Sequence, residues 1–204
     1  DAVIAEQQAI VDAMKTLEEA TDKLEAAVNA LNGDGTDNQA TIDIARAMHD
    51  IIADMVELLP ECTMKASINA RLAAVMLDID AAQEALAAVN AATAAVVTAE
   101  NAAAALVGGG TDTQAAIDAA QELYDTSVAL VNSLPDSAVK TALEMRLTQV
   151  QADIDAAQAA LDAVNEATAA VVAAENAANA LAGDGSDPQA AIDTAQDLYD
   201  TAAA

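Results

Sequence analysis

The sequence predicts an all-α protein made of tandem three-helix bundles, and three observations lead there. The hydrophobic share of 54% is ample for folding, yet Phe and Trp are absent and Tyr occurs twice, so alanine, a helix former more than a core filler, supplies much of it. The chain matches itself at an offset of 75: residues 79–129 laid on 154–204 agree at 38 of 51 positions, the mark of a modular array. Between its loops, apolar residues recur at alternating steps of four and three, the period of a coiled-coil seam.

The elements follow in chain order. A first helix is expected over residues 4–31, before Gly33-Asp34-Gly35. This loop returns as Gly108-Gly109-Gly110 and Gly183-Asp184-Gly185, with glycines suited to the left-handed residue that closes a helix. Each loop is followed by Ser or Thr with Gln three residues on, a capping box: Thr36 and Gln39, Thr111 and Gln114, Ser186 and Gln189. Asp37, Asp112 and Asp187 are expected to set negative charge near the positive helix end, and Pro188 suits a first turn.

Short helices are thus expected over 37–59 and 112–134, the latter with Ile117, Tyr124, Val128, Val131 and Leu134 on one face. They stop at Leu59-Pro60 and Leu134-Pro135. From Ser137 to Ala182 no glycine or proline intervenes, and Leu143, Leu147, Val150, Ile154, Ala157, Leu161, Val164, Thr168 and Val171 form a continuous seam. So long a helix, roughly 70 Å, outruns a half-length partner; its first half is expected to close one bundle and its second to open the next.

The matching pairs Lys65 and Lys140, Arg71-Leu72 and Arg146-Leu147, and Ile4, Ile79 and Ile154 extend the scheme upstream. The expected bundles are 1–85 (helices 4–31, 37–59, 63–85) and 86–160 (helices 86–107, 112–134, 137–160), with 161–204 an incomplete third. The expected form is a spectrin-like rod, with helices continuous near 83–88 and 158–163. Ala204 falls inside an expected helix, so the polypeptide is expected to continue, unless it simply ends there. Asp1, with no methionine before it, suits either a mature end left by signal cleavage or a boundary cut in a longer chain.

Chemistry is sparse. With 34 Asp and Glu against 7 Lys and Arg, a net charge of -27 argues against nucleic acid and anionic membrane surfaces as partners. No apolar run approaches the roughly 18–20 residues of a spanning helix. Cys62, the sole cysteine, leaves no intramolecular disulfide or CxxC motif and reads as a free thiol at a helix start. His49, the sole histidine, lies among Ala47, Met48 and Ile51 and reads as a partly exposed helical side chain. No catalytic, cofactor or metal-ligating set is expected, and the protein is not expected to be an enzyme.

Asn32-Gly-Asp34-Gly35-Thr36 has the alternating oxygens of a calcium loop, but Ala30 and Thr41 stand where its end ligands belong. A helix-capping turn is the plainer reading, leaving loose calcium contact at carboxylates such as Asp184 and Asp187. The tract Thr98–Ala105 resembles alanine-rich antifreeze helices, although Thr93 and Thr98 are five residues apart where an eleven-residue spacing is needed. Asp78, Asp80, Asp153, Asp155 and Asp162 read as a solvated acidic face.

The stretch Leu134-Pro-Asp-Ser-Ala-Val-Lys-Thr-Ala-Leu-Glu-Met-Arg-Leu147, with Val150-Gln-Ala-Asp-Ile154, resembles helical repeats of Gram-positive surface proteins. That resemblance implies an extracellular, cell-surface structural role as a spacer or assembly unit of an S-layer, adhesin stalk or wall-associated protein. The alternatives are a helical module that binds a protein, glycan or another copy of itself, and a secreted filament subunit whose incomplete bundle accepts a helix from the next chain.

Overall fold

Alanine-rich segments with apolar residues three and four apart satisfy their backbone groups within one helix and leave a single stripe to bury. The computed structural model describes residues 2–203, and among them there are six α-helices and no strand: α1 (Ala2–Val28), α2 (Gln39–Glu57), α3 (Thr63–Ala104), α4 (Gln114–Asn132), α5 (Ala138–Asn179) and α6 (Gln189–Ala203). The all-helical expectation is met. At 42 residues each, α3 and α5 are about 63 Å long and run unbroken through 83–88 and 158–163. The short helices α2 and α4 stop at Glu57 and Asn132, three residues before Pro60 and Pro135, whose rings forbid a continuing helix.

The chain divides into two compact units, one holding residues up to Ala95 together with Val128–Glu144, the other Val96–Ser127 together with Met145 onward. In the first, Leu17, Leu24 and Val28 of α1, Ile42, Ile52 and Val56 of α2, and Ile68, Leu72, Val75 and Ile79 of α3 share one core. The second has a slighter core: Ala99 and Ala103 of α3, Ile117 and Ala120 of α4, and Val150, Ile154 and Ala157 of α5, with Tyr124 and Leu161 half-buried beside it. More than half of that cluster is alanine, so close approach of backbones replaces bulk.

Three local expectations are corrected. The capping boxes do not form, because each helix starts at the Gln itself. Asn38 caps α2, its side chain accepting from the Ala40 N–H at 2.8 Å, and Thr113 caps α4, its hydroxyl accepting from the Ala116 N–H at 3.3 Å. Before α6 the Pro188 carbonyl accepts from the N–H groups of Ala191 and Ile192, and proline has no N–H of its own to satisfy. The three aspartates serve the loop instead of the helix: Asp37 accepts from the N–H groups of Asn32 and Gly33, Asp112 from Val107 and Gly108, and Asp187 from Ala182 and Gly183, all at 2.8–2.9 Å.

The glycines do adopt positive φ, but Gly33, Gly108 and Gly183 lie four or five residues beyond the helix ends. They shape the loop and do not close the helix. Gly35 and Gly110 have a second reason to lack a side chain. A Cβ on Gly35 would meet Val89 and lie 2.7 Å from the Ala85 carbonyl oxygen in α3; one on Gly110 would meet Val164 and lie 2.8 Å from that of Ala160 in α5.

Candidate functional site

Polar ties between helices recur at the same 75-residue offset. Arg71 on α3 donates from Nε and Nη2 to the two carboxylate oxygens of Glu25 on α1, each at 2.7 Å, and its Nη2 also reaches Asp22. Arg146 on α5 grips Glu100 on α3 in the same two-point way, at 2.7 and 2.6 Å. Such a fork holds both distance and orientation, as a single contact does not. The hydrogen bonds from Arg71 and Arg146 hold the carboxyls of Glu25 and Glu100 below the usual glutamate range.

Gln39 and Gln83 exchange amide hydrogen bonds at 2.7 and 3.1 Å, as Gln114 and Gln158 do at 2.7 and 3.2 Å. At each turn into a long helix a lysine covers open carbonyls: Lys65 donates to Leu59 O and Lys140 to Leu134 O, each at 3.0 Å. Sequence reasoning missed the glutamates of these ties, although Glu25, Glu100 and Glu175 stand 75 residues apart.

The residues singled out in sequence fall elsewhere. The Cys62 Sγ accepts from the Lys65 N–H at 3.4 Å, the place where Ser137 Oγ accepts from the Lys140 N–H at 3.2 Å; the thiol sits in a capping position. His49 is half-buried, its Nδ1 3.0 Å from the Asp50 carboxylate in the next residue. Asp34 accepts from both the N–H and the hydroxyl of Thr36, which lower its pKa, and the Asp187 carboxyl is lowered by its bonds from Ala182 and Gly183. These oxygens are engaged by the turn, and among the described residues no group of three or more His, Cys, Asp or Glu is placed to hold a metal.

Thr93 donates to the Val89 carbonyl of its own helix at 2.8 Å. Asp78, Asp153, Asp155 and Asp162 are exposed, and Asp80, whose side chain is 49% exposed, also takes a 2.7 Å bond from Arg46 that ties α2 to α3. Among the described residues, no helix is long and apolar enough to cross a membrane.

What stands out is a face left open. On the seam of α5, Leu143, Leu147, Val150, Ile154 and Ala157 are buried, as expected, while Leu161 is half-buried and Val164, Thr168 and Val171 are exposed. Val171 is 44% exposed, whereas Val96, its match 75 residues earlier, is fully covered. Across the hairpin, Ile192 of α6 is 42% exposed against 3% for Ile117 of α4, and Tyr199 is 63% exposed where Tyr124 lies against the core. Between α5 and α6 runs a groove of about 330 Å³ lined by Val171, Ala174, Glu175, Ala178, Ala195, Tyr199 and Ala202.

No protein-family model, curated protein or solved structure matches the chain. Its role is therefore argued from its own geometry.

Proposed function

We propose that the chain is a non-catalytic structural segment, a series of spectrin-like three-helix bundles joined through shared long helices, which spaces or assembles an extracellular bacterial surface protein. The observation that supports this reading most is the pair of uninterrupted 42-residue helices. In this reading the first half of each long helix closes one bundle and the second half opens the next, an arrangement that leaves successive modules no flexible linker at which to bend. The recurrence of the Arg–Glu fork at the repeat offset adds to it, as does the likeness of residues 134–154 to Gram-positive surface repeats.

Small-angle scattering on the dilute chain tests this. A radius of gyration well above the ~17 Å of a compact chain of this length is the expected result, and a value near ~17 Å refutes the spacer.

A further inference from the structure

The first unit carries a second apolar stripe, on the outer side of α2 and apart from the one that fills the core. Ile44, Met48, Ile51, Met55 and Leu58 follow at steps of four and three, the spacing of a coiled-coil seam, over roughly 21 Å of helix. Ile44 and Ile51 are 61% exposed and Leu58 86%, while Ile42, Ala45, Ile52 and Val56 of the same helix are buried. Neither end of the chain accounts for this. The matching positions of α4, Ala119, Thr126 and Ser133, are exposed too, with a long helix before and after them, but they are small or polar. Along one edge of the stripe a groove of about 270 Å³ runs between α1 and α2, lined in part by Glu19, Ala20 and Lys23 of α1 and by Met48 and Ile51 of α2. Lys23, and Lys15 two turns before it, are the two of seven Lys and Arg with no carboxylate partner among the described residues; the other five are paired. Along the opposite edge the helical turn sets Asp43, Asp50 and Asp54, all exposed.

We infer that this face pairs with the same face of a second copy of the chain, α2 lying parallel to its mate about a two-fold axis that runs along the helices. A seam of heptad period is matched by a helix of the same period, and a second α2 has it. Met48 and Met55, unbranched and adaptable, fill the contact between the branched residues. Charge then decides both the partner and its direction. The two-fold sets Ile51 against Ile51 and carries the acidic edge of each α2 across to the other copy's α1, where Lys15 and Lys23 stand without partners. An antiparallel pair would match the seam as well, but it would lay acidic edge on acidic edge. The second unit cannot pair in this way, since Ala119, Thr126 and Ser133 replace Ile44, Ile51 and Leu58, and Asn90 and Thr98 replace the two lysines. The contact belongs to the first unit by itself and does not rest on the spacer reading.

Sedimentation of the full chain from about 5 to about 500 µM tests this, in about 0.15 M NaCl, where a screening length of about 8 Å mutes the charge of -27 on each copy. A reversible dimer is expected, with a dissociation constant of about 10–100 µM, as suits a short interface at the low end of the size range. Ile44→Ala, Ile51→Thr and Leu58→Ser together give α2 the residues that α4 has at those positions. They should weaken the dimer at least about 30-fold and leave the helix content of the dilute monomer as it was. Lys23→Thr, which copies Thr98, should weaken it about three-fold, the effect of an exposed ion pair made twice. In a Cys62→Ser background the Leu58→Cys chain should cross-link to itself on mild oxidation, because seam positions of a parallel pair lie within disulfide reach. The inference is overturned by a monomer at every concentration, by a dimer that the triple variant leaves intact, by unchanged affinity of the Lys23→Thr chain, or by cross-linking of the Leu58→Cys chain only to an Ile44→Cys chain, the antiparallel match. Scattering on the dilute chain judges the spacer reading separately, so either can fail alone.

Discussion

Two glycines in one loop do different physical work. Gly33 and Gly35 both have positive φ, as do Gly108 and Gly110, but only the second of each pair abuts a helix backbone. Alanine at Gly33 or Gly108 meets the left-handed penalty alone, about 1 kcal/mol; at Gly35 or Gly110 it must also move a backbone carbonyl, raising the loss to roughly 2–4 kcal/mol. Urea midpoints should therefore fall further for Gly35→Ala than for Gly33→Ala, and further for Gly110→Ala than for Gly108→Ala. Equal losses within each pair would remove close approach as the reason. The glycine-rich loops are obvious in sequence, but that difference is not, because it depends on side chains and carbonyls 50 residues away.

Between elements, the arginine forks fix orientation as well as distance. Glu25 is hydrogen-bonded by Arg71, and the folded state holds its carboxyl below the ordinary 4.5. A depressed carboxylate pKa gives stability that is complete above the unfolded value and is lost as pH falls through the folded one. At pH 7, Glu25→Gln should cost about 0.5–1 kcal/mol, the upper range for a partly exposed pair. The difference between wild type and variant should shrink once pH drops below 4.5 and vanish when both side chains are neutral. Denaturant titrations at pH 7, 4.5 and 3 measure this, and a difference independent of pH would mean that packing, not charge, is what Glu25 supplies. Glu100 should behave likewise through Arg146.

For the molecule as a whole, charge dominates. A balance of 34 acids against 7 basic residues leaves most carboxylates without a cation, and folding concentrates them. Salt weakens the few ion pairs and the many repulsions together, and the repulsions prevail by number. The melting temperature should accordingly rise as NaCl goes from about 0.01 M to about 0.15 M, where the screening length contracts from about 30 Å to about 8 Å. A fall in melting temperature would show that the arginine and lysine ties outweigh the repulsion. The alanine-rich second core sharpens the effect, having little apolar area with which to offset it.

Helix class, the long and short helices, their breaks at Pro60 and Pro135, and the heptad seam were all determined by the sequence alone. Each depends on backbone and side-chain preferences within about four residues, a range over which the chain reads itself. The identities on the candidate face were legible too, since Glu175, Gln189 and Tyr199 repeat residues found 75 earlier. Tertiary structure alone decided the rest: that Asp80 meets Arg46, that Asn38 and not Thr36 caps α2, and that the seam of α5 is covered through Ala157 but exposed at Val164 and Val171. The physical reason is that period selects which stripe of a helix is apolar, whereas burial requires a distant segment to arrive over it.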